Sequence, residues 1–198
     1  MRLARDTQFV PLFTCAIVFL CAPLHCHGQD SLKSGPQAGQ PGPGLFNSLI
    51  VHGDYAGKLV SLVQLVRGGW NNYPALPYAL VFIRATDDHT LGLIRKLDDE
   101  AAQSKKFRVG IVFLSDDSEI EGRLKKIVEK EKFRAVIVSV YASEGPKPWN
   151  IAKDAEVTVV FSGIQRVVQA NYAFRKGELG ETQLAKIMQA AKALKEKS

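Results

Sequence analysis

Residues 79–97, ALVFIRATDDHTLGLIRKL, decide how the chain is read: an apolar run, a short polar turn, then a helix-like repeat. The run is β-branched and continuous, as expected of a strand covered on both faces. After it, Leu91, Ile94, Leu97 and Ala101 recur at helical spacing, and Asp87 or Asp88 is placed to cap the first amides. Two further runs of the same kind follow, FRVGIVFLS (107–115) and AVIVSVYA (135–142). Between them a second helix is expected, opened by Ser118 and Glu121 in capping-box spacing and burying Ile120, Leu124, Ile127 and Val128.

Downstream the style changes. EGPKPWNIAKDA (144–155) is a connection, because Pro146 and Pro148 exclude an ordinary helix. EVTVVF (156–161) and QRVVQANYAF (165–174) flank Ser162-Gly163-Ile164, a compact antiparallel hairpin signal. A last helix sets Leu184, Ile187, Met188, Ala191 and Leu194 on one face, with the methionine as core filler. Upstream, LFNSLIV (45–51) reads as a strand closed by the turn HGDYAG, whereas KLVSLVQLV (58–66) fits either a strand or a short helix. RGGWNNYPALP (67–77) breaks regular structure. The order is βαβαβ, a β-hairpin and a closing helix: an α/β fold with a mixed sheet sandwiched by helices, a βαβαββα core.

The first 28 residues are expected to stand outside this fold. MRLARD is a basic start, and the apolar run of residues 9–24 is short and interrupted by proline, the pattern of an export signal. A cut after Gly28 leaves Cys26 and Gly28 at −3 and −1; a cut after Ala22 would put Pro23 at +1. The alternative is a retained anchor. Bacterial lipid-modified cysteines follow a small residue, whereas Cys21 follows Leu20 and Cys26 follows His25. The expected organisation is a signal peptide over 1–28, a flexible Gly/Pro/Gln-rich tether or extended arm over 29–44, and one domain over 45–198, exported to the periplasm or beyond.

All three cysteines, Cys15, Cys21 and Cys26, lie in that leader. A chain starting at Gln29 has no thiol for dithiol exchange or peroxide reduction. The net charge of +6 becomes +5 when Arg2, Arg5 and Asp6 leave. Positive and negative residues alternate, as in KKIVEKEKFR (125–134), which marks a solvated helix face and argues against nucleic acid as a partner.

The element order resembles the thioredoxin-like fold over roughly residues 45–195. That resemblance implies a Cys-x-x-Cys at the turn before the first long helix, where helix amides and dipole stabilise a thiolate. The matching turn here is ATDDHT (85–90), with Asp87, Asp88 and His89. It also implies a cis-proline opposite the reactive cysteine; the corresponding position is Val157, where a trans bond is expected. A narrower likeness is to secreted bacterial thioredoxin-like and peroxiredoxin-like proteins. It rests on SGPQAG (34–39), AGK (56–58), IAKDAEVTVV (151–160) and NYAFRKGEL (171–179). Aligned that way, Ser61 and Gln64 of SLVQ (61–64) occupy the thiol positions.

Other chemistry is weakly signalled. Asp87, Asp88 and His89 are adjacent at a helix start, an arrangement for capping rather than for converging on a metal. His89 has neighbouring hydroxyls in Thr86 and Thr90 but no third group to orient it, and His52 sits in a turn. Trp70, Tyr73, Tyr78 and Trp149 either form a binding patch or plug the ends of the sheet, with plugging favoured. No catalytic residue, metal or cofactor is assigned. Two functions stay open: a redox-inactive envelope module that binds a protein or peptide, without a membrane span once the leader is removed, or an antioxidant or thiol-disulfide oxidoreductase family member with some non-thiol activity.

Overall fold

A computed structural model describes residues 32–68 and 74–196 of the chain. All of them belong to the second of its two compact units, Ser31–Ser198. The leader, Trp70 and Tyr73 lie outside the described residues.

Among the described residues seven strands form one mixed sheet. β1 (Asn47–His52) and β2 (Leu59–Ser61) make an antiparallel hairpin, and α1 (Leu62–Arg67) follows β2 directly. The stretch that fitted either a strand or a helix is thus both, and Ser61 is the junction. β3 (Tyr78–Ile83), α2 (Asp88–Ala102), β4 (Arg108–Leu114), α3 (Ile120–Glu131) and β5 (Ile137–Tyr141) form two parallel crossovers. β6 (Val157–Ser162) runs antiparallel to β3, β7 (Val168–Phe174) returns along β6, and α4 (Glu181–Glu196) closes the chain. The sheet order is β2-β1-β5-β4-β3-β6-β7. β3 and β6 are buried at every residue, which is why their sequences lack alternation.

Helices cover both faces. Ala79, Val81 and Ile83 of β3 point towards α2, α3 and α4, where Leu93, Leu97, Leu124 and Ile187 complete one core. Tyr78, Leu80 and Phe82 point the other way, into a second core with α1, Phe46 and Trp149. Trp149 ends a single 3-10 turn (Lys147–Trp149) and is fully buried, its ring 5.8 Å from Phe46 and 5.4 Å from Phe82. Trp149 and Tyr78 therefore plug the sheet, as favoured.

Three expectations need correction. The capping box of Ser118 and Glu121 does not form: Glu119 precedes α3 without a side-chain cap bond. Asp117 closes the turn one residue earlier, its carboxylate accepting the Glu119 amide at 2.8 Å, and an Asx turn competes with a serine cap for the same amides. In α3 only Leu124 is fully buried, while Ile120, Ile127 and Val128 pack on the core part-exposed. The hairpin loop is longer than Ser162-Gly163-Ile164, because β7 pairing begins at Val168 and Arg166 takes a left-handed conformation that closes the loop onto Gly163.

Residues 32–44 are an extended arm and not a free tether. Ser34 and Pro36 are buried, Pro41 bridges Val167, and the Trp149 indole donates to the Gly44 carbonyl at 3.0 Å.

Candidate functional site

The turn after β3 sits at the carboxyl ends of the parallel strands, where open α/β sheets place their sites. Asp87 is the N-cap of α2, and its carboxylate accepts the Thr90 amide at 2.7 Å. Burial alone would raise this carboxyl. The Thr90 amide hydrogen bond and the nearby His89 outweigh that and hold it below the ordinary aspartate range. The Thr90 hydroxyl, buried beside the same helix turn, does not reach hydrogen-bonding geometry. Asp88 and His89 are exposed on the first turn of α2.

Val157 opens β6 in register with Ile83, so it lies beside the point where the chain leaves β3 for this turn. No cis peptide occurs among the described residues, and the bond before Val157 is trans. The structure thus brings Asp87, Asp88 and His89 to the neighbourhood of Val157. Ser61 ends β2, separated from β3 by β1, β5 and β4 in the sheet order, and Gln64 follows it on α1. Ser61 caps α1, its hydroxyl accepting the Gln64 amide at 3.4 Å. Both sets of candidate thiol positions are therefore helix caps whose oxygen takes the amide three residues on. His52 ends β1 half-buried, paired with Val138.

Arg84, which the sequence does not single out, organises the surroundings of the turn. Its guanidinium donates to the carbonyls of Ala155 at 3.1 Å and Ala152 at 3.4 Å, and also to that of Ser143. Burial lowers its pKa, and none of the ion pairs among the described residues involves it. The side chain locks the connection after β5 to the end of β3. Asp116 adds a second tie: the Ser143 hydroxyl and amide both donate to its carboxylate and hold its pKa low. Neither residue lies on an amphipathic pattern, so no sequence signal marks them.

Between the ends of β3 and β4 and helix α3 lies a cavity of about 150 Å3, lined among others by Ile83, Thr86, Phe113, Ser115, Arg123 and Ile127. Arg123 is already paired with Asp117 at 2.7 Å. Among the described residues no three His, Cys, Asp or Glu side chains are grouped to hold a metal ion, and no helix is long and apolar enough to cross a membrane. The site as built offers a capped helix start and a rigid loop frame.

No family model matches the chain, and no curated protein matches it. Solved structures do. A putative protein disulfide isomerase from Bacteroides thetaiotaomicron superposes with a TM-score of 0.59 at 10% identity, over 83% of this chain and 95% of that one. The exposed lipoprotein thioredoxin of Streptococcus pneumoniae gives 0.52 at 15% identity, over 76% of this chain and 100% of that one. A thiol peroxidase from Chromobacterium violaceum gives 0.54 at 10% identity, over 82% and 90%. With a mixed seven-stranded sheet and four α-helices among the described residues, and with these neighbours, the chain has the thioredoxin-like fold.

Proposed function

We propose that the protein is an exported, redox-inactive thioredoxin-like module that binds a protein or peptide of the cell envelope. The observation that carries this reading is Asp87. At the turn where the resemblance implies a reactive thiolate, a carboxylate occupies the cap and takes the Thr90 amide. An aspartate there uses the same amides and helix dipole, and it has no sulfur to form or exchange a disulfide. The sequence supports the reading further, because residues 27–198 carry no cysteine. What remains functional on such a scaffold is surface.

The test is the intact mass of the protein purified from producing cells, before and after thiol alkylation, together with an insulin-disulfide reduction assay. A mass beginning at Gln29, no alkylation shift and no reduction are expected. A chain that keeps Cys21 or Cys26, takes up the alkylating agent and reduces disulfides would overturn the proposal.

A further inference from the structure

The cavity beneath α3 is built in two parts of opposite chemistry. Its floor is apolar and closed: Ile83 at the end of β3, Phe113 and Leu114 at the end of β4, and Leu124 of α3 are all buried. Its outer part is polar and open, with Thr86 and Arg123 exposed and Ser115 half-buried. Between the two parts stand Ile120 and Ile127, which with Leu124 form one stripe of α3 at the spacing i, i+4 and i+7. The sequence marks all three for burial, yet the two isoleucines stay half-exposed where they wall this cavity.

Its volume is about 150 Å3. A cavity of about that size with leucine, isoleucine and phenylalanine walls holds a benzene ring. The charge around it is one-sided. Among the described residues that line it, the charged ones are Arg84 and Arg123, and no carboxylate joins them. Arg84 spends its guanidinium on the carbonyls of Ser143, Ala152 and Ala155 and enters no ion pair among the described residues. Arg123 pairs with Asp117 at 2.7 Å, but both side chains are exposed, and an ion pair in water is screened and weakly held. Asp117 also accepts the Glu119 amide at 2.8 Å, so it keeps a partner when Arg123 turns to another anion.

We infer that this cavity binds a small carboxylate with an aromatic or branched apolar body, of the size of phenylacetate. The body fills the floor and covers Ile120 and Ile127, which removes their apolar surface from water. The carboxylate lies at the rim, where it accepts from the Arg123 guanidinium and from the hydroxyls of Thr86 and Ser115. The Ser115 oxygen already accepts the Asp117 amide at 3.1 Å, which leaves its proton to donate outward. An uncharged apolar molecule uses the floor alone, and acetate uses the rim alone. Selection comes from the two parts together. Thr86 directly precedes the α2 cap Asp87, so the bound carboxylate stands beside the turn at the carboxyl ends of the parallel strands.

The inference goes beyond the reading of the protein as a thiol-free peptide-binding module, and its test involves no thiol, so either can fail alone. Phenylacetate, its uncharged counterpart phenethyl alcohol, and acetate are each titrated into the purified protein and followed by backbone-amide and methyl NMR shifts. Phenylacetate is expected to move the signals of Ile83, Thr86, Ile120 and Ile127 with one Kd of about 1 mM or tighter, as suits a ligand of about ten non-hydrogen atoms. Phenethyl alcohol should bind about fivefold more weakly or worse. Arg123→Gln, on the exposed side of α3, should bring phenylacetate to the level of phenethyl alcohol and leave the alcohol unchanged. Ile127→Trp, which fills the cavity from its open side, should abolish binding of both; should that variant not fold, the Arg123→Gln comparison decides. Shifts confined to Arg123 and its neighbours, and equal with acetate, mean an adventitious ion only and overturn the inference. Equal affinity for phenylacetate and the alcohol, indifference to Arg123→Gln, or no shift at Ile83 and Ile127 at about 20 mM phenylacetate would overturn it too.

Discussion

Asp98 is the polar group on which the frame of this fold depends most, and its removal has a calculable cost. It sits in α2, 4% exposed, with its carboxylate turned to the start of the β5 segment. Oδ1 accepts the amides of Arg134 at 3.0 Å, Ala135 at 2.7 Å and Val136 at 2.9 Å, and the Arg134 guanidinium approaches Oδ2 at 3.8 Å. Asp98→Ala strands three amides at once. That of Val136 is buried and keeps its full desolvation cost, about 1–3 kcal/mol; the other two regain water and cost less. Removing a carboxylate that was itself expensive to bury offsets part of the total. The net is a loss of about 2–4 kcal/mol. At about 2–4 °C per kcal/mol for a chain of this size, Tm falls by about 4–16 °C. Asp98→Asn keeps one acceptor and should fall between the two. Urea unfolding gives the free energies and thermal melting gives Tm, both followed by far-UV circular dichroism. An Asp98→Ala protein melting with the wild type, or an Asn variant worse than Ala, would refute the reasoning.

Other perturbations separate the remaining parts. Asp87→Ala should cost about 0.5–2 kcal/mol in urea unfolding, and Ser61→Ala less, because its bond is long and α1 is only six residues. The folded-state pKa of Asp87 is lowered, so its contribution is present above the ordinary aspartate pKa and lost as pH falls through the folded value. The stability gap between wild type and Asp87→Ala should accordingly narrow in acid. Arg84→Met removes the guanidinium donor from the carbonyls of Ser143, Ala152 and Ala155, of which Ala152 keeps the Ala155 amide; hydrogen exchange over 143–156 should quicken, and stability should drop by about 1–3 kcal/mol. Gly110→Ala puts a Cβ 2.8 Å from Leu80 and 3.0 Å from both Leu62 and Val66, so these side chains must give way at about 1–3 kcal/mol, read from the urea midpoint.

The sheet was legible because its strands and helices are long and apolar in pattern: β3, β4, β6 and the stripes of α2 and α4 are each announced by their own residues. What was not legible depends on contacts far apart in sequence. Asp98 meets Val136, Arg84 meets Ala155 and Ser34 meets Thr158 across 38, 71 and 124 positions, and no local pattern encodes such meetings. The arm shows this most plainly. Its composition of glycine, proline and glutamine is that of a tether, since it brings little apolar surface. It is nevertheless held, because the donors on Asn171, Arg166 and Trp149 fit its carbonyls. Composition reports what a segment can bury, not what it can be bound by.

The turn at 85–90 follows the same logic from the other side. A Cys-x-x-Cys places a thiolate where the amides at a helix start can reach it, and an N-cap places its oxygen in the same relation to the amide three residues on. Asp87 with Thr90 and Ser61 with Gln64 both keep that spacing. An oxygen at the cap conserves the electrostatic demand of the helix end while removing sulfur chemistry, so backbone geometry at such a turn carries no information about redox function. Only the identity of the capping atom does. Here that atom is a carboxylate oxygen that accepts the Thr90 amide, and beside it Arg84 and Asp116 hold the neighbouring loop through the carbonyl of Ala155 and the amide of Ser143.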